Sequence, residues 1–145
     1  MQASNIWSYG LCVYKKEEGL IKILLCKSVT SKTKWGLIKG GVSKKESHEK
    51  CAQREFCEEV GINTDIKTYG KYFEQVNVGK SVGAWLVSYD DITNAKKYFV
   101  NDKVPNDSLS WELSKAKFFS LEELPELKEN QIKMLSDIRY YLQTN

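Results

Sequence analysis

Residues 40–62 read GGVSKKESHEKCAQREFCEEVGI. Ser47 stands where a hydroxyl can cap a helix, and Gly61 follows Val60 where a left-handed helix end is expected. The stretch is therefore predicted to form a helix capped at Ser47, with its last turn at Val60 and a glycine-shaped loop at Gly40 and Gly41 leading into it. On such a helix Glu55 and Glu59 are i and i+4, and Glu58 is i+3 from Glu55, so all three carboxylates can project toward one side. Like charges at this spacing cost an isolated helix roughly 0.2–0.5 kcal/mol per pair, a cost that a solvated face tolerates. The same cluster offers hard oxygen ligands to Mg²⁺ or Mn²⁺, with room left for water and phosphate oxygens.

Gly40, Glu46 and the run from Arg54 to Ile62 together resemble the complete signature of the Nudix hydrolase family. The resemblance implies an α/β (α+β) fold, the αβα sandwich with a mixed central sheet. It also implies hydrolysis of a diphosphate linkage in a nucleotide-like substrate. On this likeness Glu55, Glu58 and Glu59 bind the divalent cation, and the backbone near Lys39 and Gly40 adds a carbonyl ligand. Arg54 orients a glutamate, and Glu46 supports it through a salt bridge. Glu112, before a strand-like segment at 115–119, resembles the glutamate that many relatives bring from a downstream loop; its other reading is a surface residue beside Trp111. The implied chemistry is physically coherent: metal ions neutralise the diphosphate and acidify bound water, while a carboxylate removes its proton. Ile38 and Lys45 depart from the family's usual proline and glycine, which bears on loop shape and subfamily.

Upstream, Trp7, Tyr9, Leu11 and Val13 alternate along a strand, 20–26 reads as a second, and 15–19 as their turn. Downstream, 65–78 and 81–89 read as strands meeting near Gly79. Val82, Ala84 and Leu86 are expected on one face of the latter, with Trp85, Val87 and Tyr89 on the other. Residues 93–110 read as loop, with a short element at 95–100. Ile132, Leu135, Ile138 and Leu142 mark a C-terminal amphipathic helix over 128–142.

In 145 residues, 41% hydrophobic, there is material for one core, so one domain over 1–145 is expected. The formal charge of +3 is too mild to indicate duplex nucleic-acid binding. Cys12, Cys26, Cys51 and Cys57 make no CxxC pair and read as free thiols. The N-terminus carries no basic segment before an apolar run, so a cytoplasmic chain away from the membrane is expected.

Trp35 and Tyr72 offer aromatic faces either to a nucleobase or to the core. Lys39, beside Gly40, is the lysine chosen for a phosphate; Lys80, Lys97 and Lys103 fall in or near loops. The leading substrates are nucleoside polyphosphates, namely a dinucleoside polyphosphate or an RNA 5′-triphosphate end. ADP-ribose or nucleotide-sugar hydrolysis is the alternative within the enzyme class, and a non-catalytic nucleotide-binding module is the alternative outside it.

Overall fold

A computed structural model describes residues 6–43 and 45–145; the N-terminal reading rests in part on residues 1–5, outside the described residues. Strands β1 (Ile6–Glu17) and β2 (Leu20–Ser28) form a hairpin. Its turn is tighter than the sequence suggested, because positive φ is confined to Glu18 (53°) and Gly19 (79°). Pairing therefore runs on through Lys15↔Lys22 to Glu17↔Leu20.

The other strands are β3 (Ile38–Gly41), β4 (Tyr72–Gln75), β5 (Lys80–Ser88) and β6 (Leu113–Ser120). They complete a six-stranded mixed sheet of order β4-β5-β1-β2-β6, with β3 also pairing β1. One edge of β1 is shared: its first half pairs β3 from Ser8↔Gly41 to Leu11↔Ile38, and its second half pairs β2 from Tyr14 onward. β2 and β3 thus diverge like a fork, and the groove described below opens beside it. Along its other edge β1 runs parallel to β5.

Helix α1 (His48–Val60) covers one face and α2 (Ile132–Thr144) belongs to the core of the other, giving the expected αβα sandwich. Alternation sorts the strands. Tyr9, Leu11, Val13 and Leu24 pack with Phe56 and Val60 of α1, whereas Cys12, Ile23, Leu25, Val82, Ala84 and Leu86 pack with Leu135, Ile138 and Leu142 of α2. Each valine, leucine, isoleucine or phenylalanine among them, fully buried, stabilises the fold by about 1.5–3 kcal/mol before entropy is charged against it. No helix among the described residues is long and apolar enough to cross a membrane.

Two expectations are corrected. The strand drawn over 65–78 shrinks to Tyr72–Gln75, because the Asp65 side chain accepts the Lys67 N–H and caps a 3₁₀ turn over Ile66–Thr68. In α2 the helix begins at Ile132, which leaves that residue exposed, and Met134 takes the core position. Residues 93–110 are loop with the expected short element, a 3₁₀ turn at Ala95–Tyr98; a second lies at Asn106–Ser108, and between them Lys103 bridges Lys117 at the open edge of β6.

Candidate active site

Ser47 caps α1 by accepting the Lys50 N–H at 3.1 Å, and Gly61 closes it at φ 73°. Between these ends Arg54 is a hub. Its Nε and Nη2 grip both oxygens of Glu46 at 2.7 and 2.9 Å, and its Nη2 also donates to the Gly41 carbonyl at 3.0 Å. Nη1 reaches Glu55 at 2.9 Å and both Glu58 oxygens at 3.3 Å. The bidentate grip of Arg54, with help from the Ser43 N–H, holds the Glu46 carboxyl down to about 2.

Glu55 sits against Gly40 so closely that a Cβ there would overlap its carboxylate. That contact explains why a glycine precedes the helix: it makes room for an acid. Burial raises the Glu55 pKa, and the charges of Glu58 and Glu112 add to the rise against the pull of Arg54. The Gly40 carbonyl accepts a weak bond from the Cys51 thiol at 3.4 Å.

Glu59 has a different partner. It is only 7% exposed and accepts the Ser110 hydroxyl at 2.8 Å, while the Ser110 N–H donates to the Glu59 carbonyl at 2.9 Å. Burial raises its pKa too, and Glu112 and Glu55 add to the effect. Glu59 and Glu112 line a groove of about 160 Å³ together with Lys39, Lys128, Cys26, Ser28 and Leu113. Burial, and then the like charge of Lys128, pull the Lys39 pKa below the ordinary lysine range. The groove therefore pairs an acidic wall with two ammonium groups.

Sequence reasoning placed Glu55, Glu58 and Glu59 on one side of α1. The structure gives them different partners: Arg54 donates to Glu55 and Glu58, while Ser110 donates to Glu59 at the groove, where the Glu55 charge still reaches it. Among the described residues no three histidine, cysteine or acidic side chains converge as a ready ligand set. The chemistry of the donors nevertheless fits a hard divalent cation: the charge of Glu112 raises the cost of ionising both Glu55 and Glu59, that of Glu55 adds to the cost at Glu59, and the missing Cβ of Gly40 admits the Glu55 carboxylate.

Trp35 and Tyr72 do not line this groove. Trp35 is 9% exposed, edge-on to Phe119 at 4.7 Å, with the Lys27 ammonium 5.5 Å from its ring centre. Tyr72 packs on Trp85 at 4.8 Å and donates to Glu74 at 2.9 Å. His48 stacks on Tyr9 at 4.1 Å. Ser110 and Lys128 were missed. Each lies outside the signature and is delivered by chain folding from a distant loop, so no local spacing marks it.

The family model for the NUDIX domain matches residues 7–138. No curated protein sequence matches the chain. Among solved structures, the Ap4A hydrolase of C. elegans, in a binary complex, is 24% identical, with a TM-score of 0.62 over 97% of this chain and 99% of its own. A MutT protein from Methanosarcina mazei Go1 is also 24% identical, with a TM-score of 0.64 over 99% of each chain. The NUDIX domain of Shewanella oneidensis NrtR, complexed with ADP ribose, is 12% identical, with a TM-score of 0.66 over 96% of this chain and 89% of its own. At these identities the structural likeness speaks for the fold.

Proposed function

The chain belongs to the Nudix family and is by class a pyrophosphohydrolase of phosphoric anhydrides, and from that premise we propose a divalent-metal-dependent hydrolase of nucleoside polyphosphates. The observation that carries this reading is the groove in which Glu59 and Glu112 face Lys39 and Lys128. A diphosphate bridging a metal ion needs both signs of charge within a few ångströms.

Nudix hydrolases generally use divalent metal ions. In this chain Glu55, Glu58 and Glu59, with the Gly40 carbonyl, would hold the ion, which is Mg²⁺ or Mn²⁺. When bound it supplies charge neutralisation of the diphosphate and a more acidic water. Lys39 and Lys128 bind phosphate oxygens and orient the anhydride. Glu112, exposed at the groove rim, accepts the proton of the attacking water. Arg54 and Glu46 keep the acidic helix face in register with the loop at Gly40 and Gly41. Dinucleoside polyphosphates and RNA 5′-triphosphate ends are the favoured substrates, because two ammonium groups suit a phosphate chain longer than a single diphosphate. The four free cysteines accord with a reducing, cytoplasmic setting.

The second reading, ADP-ribose or nucleotide-sugar hydrolysis, draws on the NrtR domain complexed with ADP ribose. A panel of nucleotides, dinucleoside polyphosphates, triphosphorylated RNA, ADP-ribose and nucleotide sugars, assayed with Mg²⁺ or Mn²⁺ and with product identification, separates the two. The expected result is a higher kcat/KM for the longer phosphate chains, narrowed by Lys39→Ala. A panel led by ADP-ribose overturns the substrate choice, and full turnover in excess chelator overturns metal dependence.

A further inference from the structure

On the face of the sheet that carries Leu25 and Phe119, at the β6 edge, four lysines are arranged as a grid. Lys27 of β2 stands directly across from Lys115 of β6, and Lys103 directly across from Lys117. Side chains paired this way lie about 4.5–5.5 Å apart at Cβ, and like charges placed so destabilise the sheet. Among the described residues, none of the four has a carboxylate within ion-pair distance. By contrast, Lys15 and Lys22, also paired across strands, are bridged by Glu17 and Asp102. The grid is thus a local cost that the fold neutralises elsewhere and leaves uncompensated here.

The arrangement is also held in place. The Lys27 ammonium lies over Trp35 and donates to the Lys32 carbonyl at 3.3 Å, and the Lys117 ammonium lies 4.7 Å over Phe119. Lys103, Lys115, Lys117 and Trp35 line a concavity of about 200 Å³. Lys115 and Lys117, two residues apart on one strand face, are spaced about 6.8 Å along the chain, a step close to that between neighbouring phosphates of an extended nucleic-acid strand. The site adjoins the catalytic groove: Cys26 and Ser28, which flank Lys27, line that groove, and Lys128 of the groove donates its N–H to the Trp35 carbonyl.

We propose that Lys27, Lys103, Lys115 and Lys117 form a binding site for the sugar-phosphate backbone of a single-stranded nucleic acid, beside the catalytic groove and distinct from it. A regular row of phosphates matches the grid, and a concavity beside it suits a flexible single strand better than a flat membrane surface or a rigid duplex. The overall charge of +3 hides the site because 19 acidic residues over the rest of the chain nearly balance the 22 basic ones. The proposal does not depend on what the groove hydrolyses.

The test measures fluorescence anisotropy of the full chain with a short single-stranded oligoribonucleotide bearing a 5′-hydroxyl, which offers no anhydride to cleave. Each phosphate engaged adds about 0.7 to the slope of log affinity against log salt, so the grid should give a slope of about 2–3. The double variant Lys115→Gln, Lys117→Gln should lose at least about tenfold in affinity and about 1.4 in slope. It should melt no lower than the wild type, since it removes like-charge pairs. Lys103→Gln alone, on the exposed side, should lose about 0.7 in slope. Unchanged binding in both variants overturns the proposal. So does inorganic tripolyphosphate competing as well as the oligonucleotide at equal phosphate, which marks a compact anion site. Binding to anionic phosphatidylserine vesicles in preference to the oligonucleotide overturns it in favour of a membrane surface.

Discussion

Gly40 and Gly41 are neighbours in β3, yet they should respond oppositely to alanine. A Cβ on Gly40 meets the carboxylate of Glu55, whereas a Cβ on Gly41 meets nothing within 4 Å, and neither residue has a positive φ. In Gly40→Ala the far end of the Glu55 side chain can swing away, so the backbone need not yield. Displacing it loses the Arg54–Glu55 bond, which is worth about 1 kcal/mol once the partial exposure of Arg54 is allowed for. Against this, alanine restricts the unfolded chain and stabilises by about 0.4–1 kcal/mol. The net change in stability is expected within about 1 kcal/mol, and the midpoint of thermal unfolding should move by no more than about 4 °C. Activity should behave differently. With Glu55 expelled from beside Gly40, hydrolysis of a dinucleoside polyphosphate in saturating Mg²⁺ should fall about 10–100-fold. Gly41→Ala should melt and turn over like the wild type. Melting curves and initial rates on both variants decide it: a fully active Gly40→Ala, or equal damage from the two substitutions, would refute the placement of Glu55.

Arg54→Lys replaces a fork that serves three carboxylates by a point charge, so kcat should drop about 10–100-fold with the helix retained, as checked by steady-state kinetics alongside circular dichroism. Burial pushes the Asp102 pKa up, but Lys15 and Lys22 outweigh it and hold the carboxyl below its ordinary 3.8. That stability is present above 3.8 and is lost as pH falls through the folded value. Asp102→Asn, which tolerates the φ of 64°, should therefore cost about 1–2 kcal/mol in urea melts at neutral pH, with the gap closing below about pH 4. Gln131→Leu removes the acceptor of the Leu37 N–H and should cost about 1–3 kcal/mol by the same measurement; an unchanged midpoint would count against that bond.

What could be read in advance was local. Ser47 and Gly61 follow from helix ends, the Arg54–Glu46 pairing from the likeness of residues 40–62 to the family signature, and the two faces of β1 and β5 from alternation. What could not be read depends on register and on segments that meet only in three dimensions. Ser110 reaches Glu59 from a loop whose turns are closed by backbone bonds, such as Leu109 N–H to the Asn106 carbonyl, and follow no period. The irregularity between Lys27 and Ser28 brings Leu113 to the groove while Lys115 stays opposite Lys27, and no hydropathy pattern marks such a shift. The partners of the three glutamates were equally hidden, because spacing defines a helix face but not which neighbour claims each carboxylate.

The parallel pairing of β1 with β5 has a bearing on how the chain reaches this state. Ile6 meets Lys80, about 74 positions away, and the contacts continue in step to Tyr14 and Ser88. Closing so long a loop is entropically costly, and nothing rewards it until the strands dock. The β1–β2 hairpin and α1 can form early from nearby residues, whereas the central ladder must wait for the chain between them to be gathered in. Refolding should therefore run in milliseconds to seconds, with hairpin substitutions such as Gly19→Ala acting on a different step from substitutions at Ala84 or Val82. Before that ladder closes, the edges of β1 and β5 that will face each other remain unpaired, and it is during this interval that the chain is most exposed to pairing with another copy of itself.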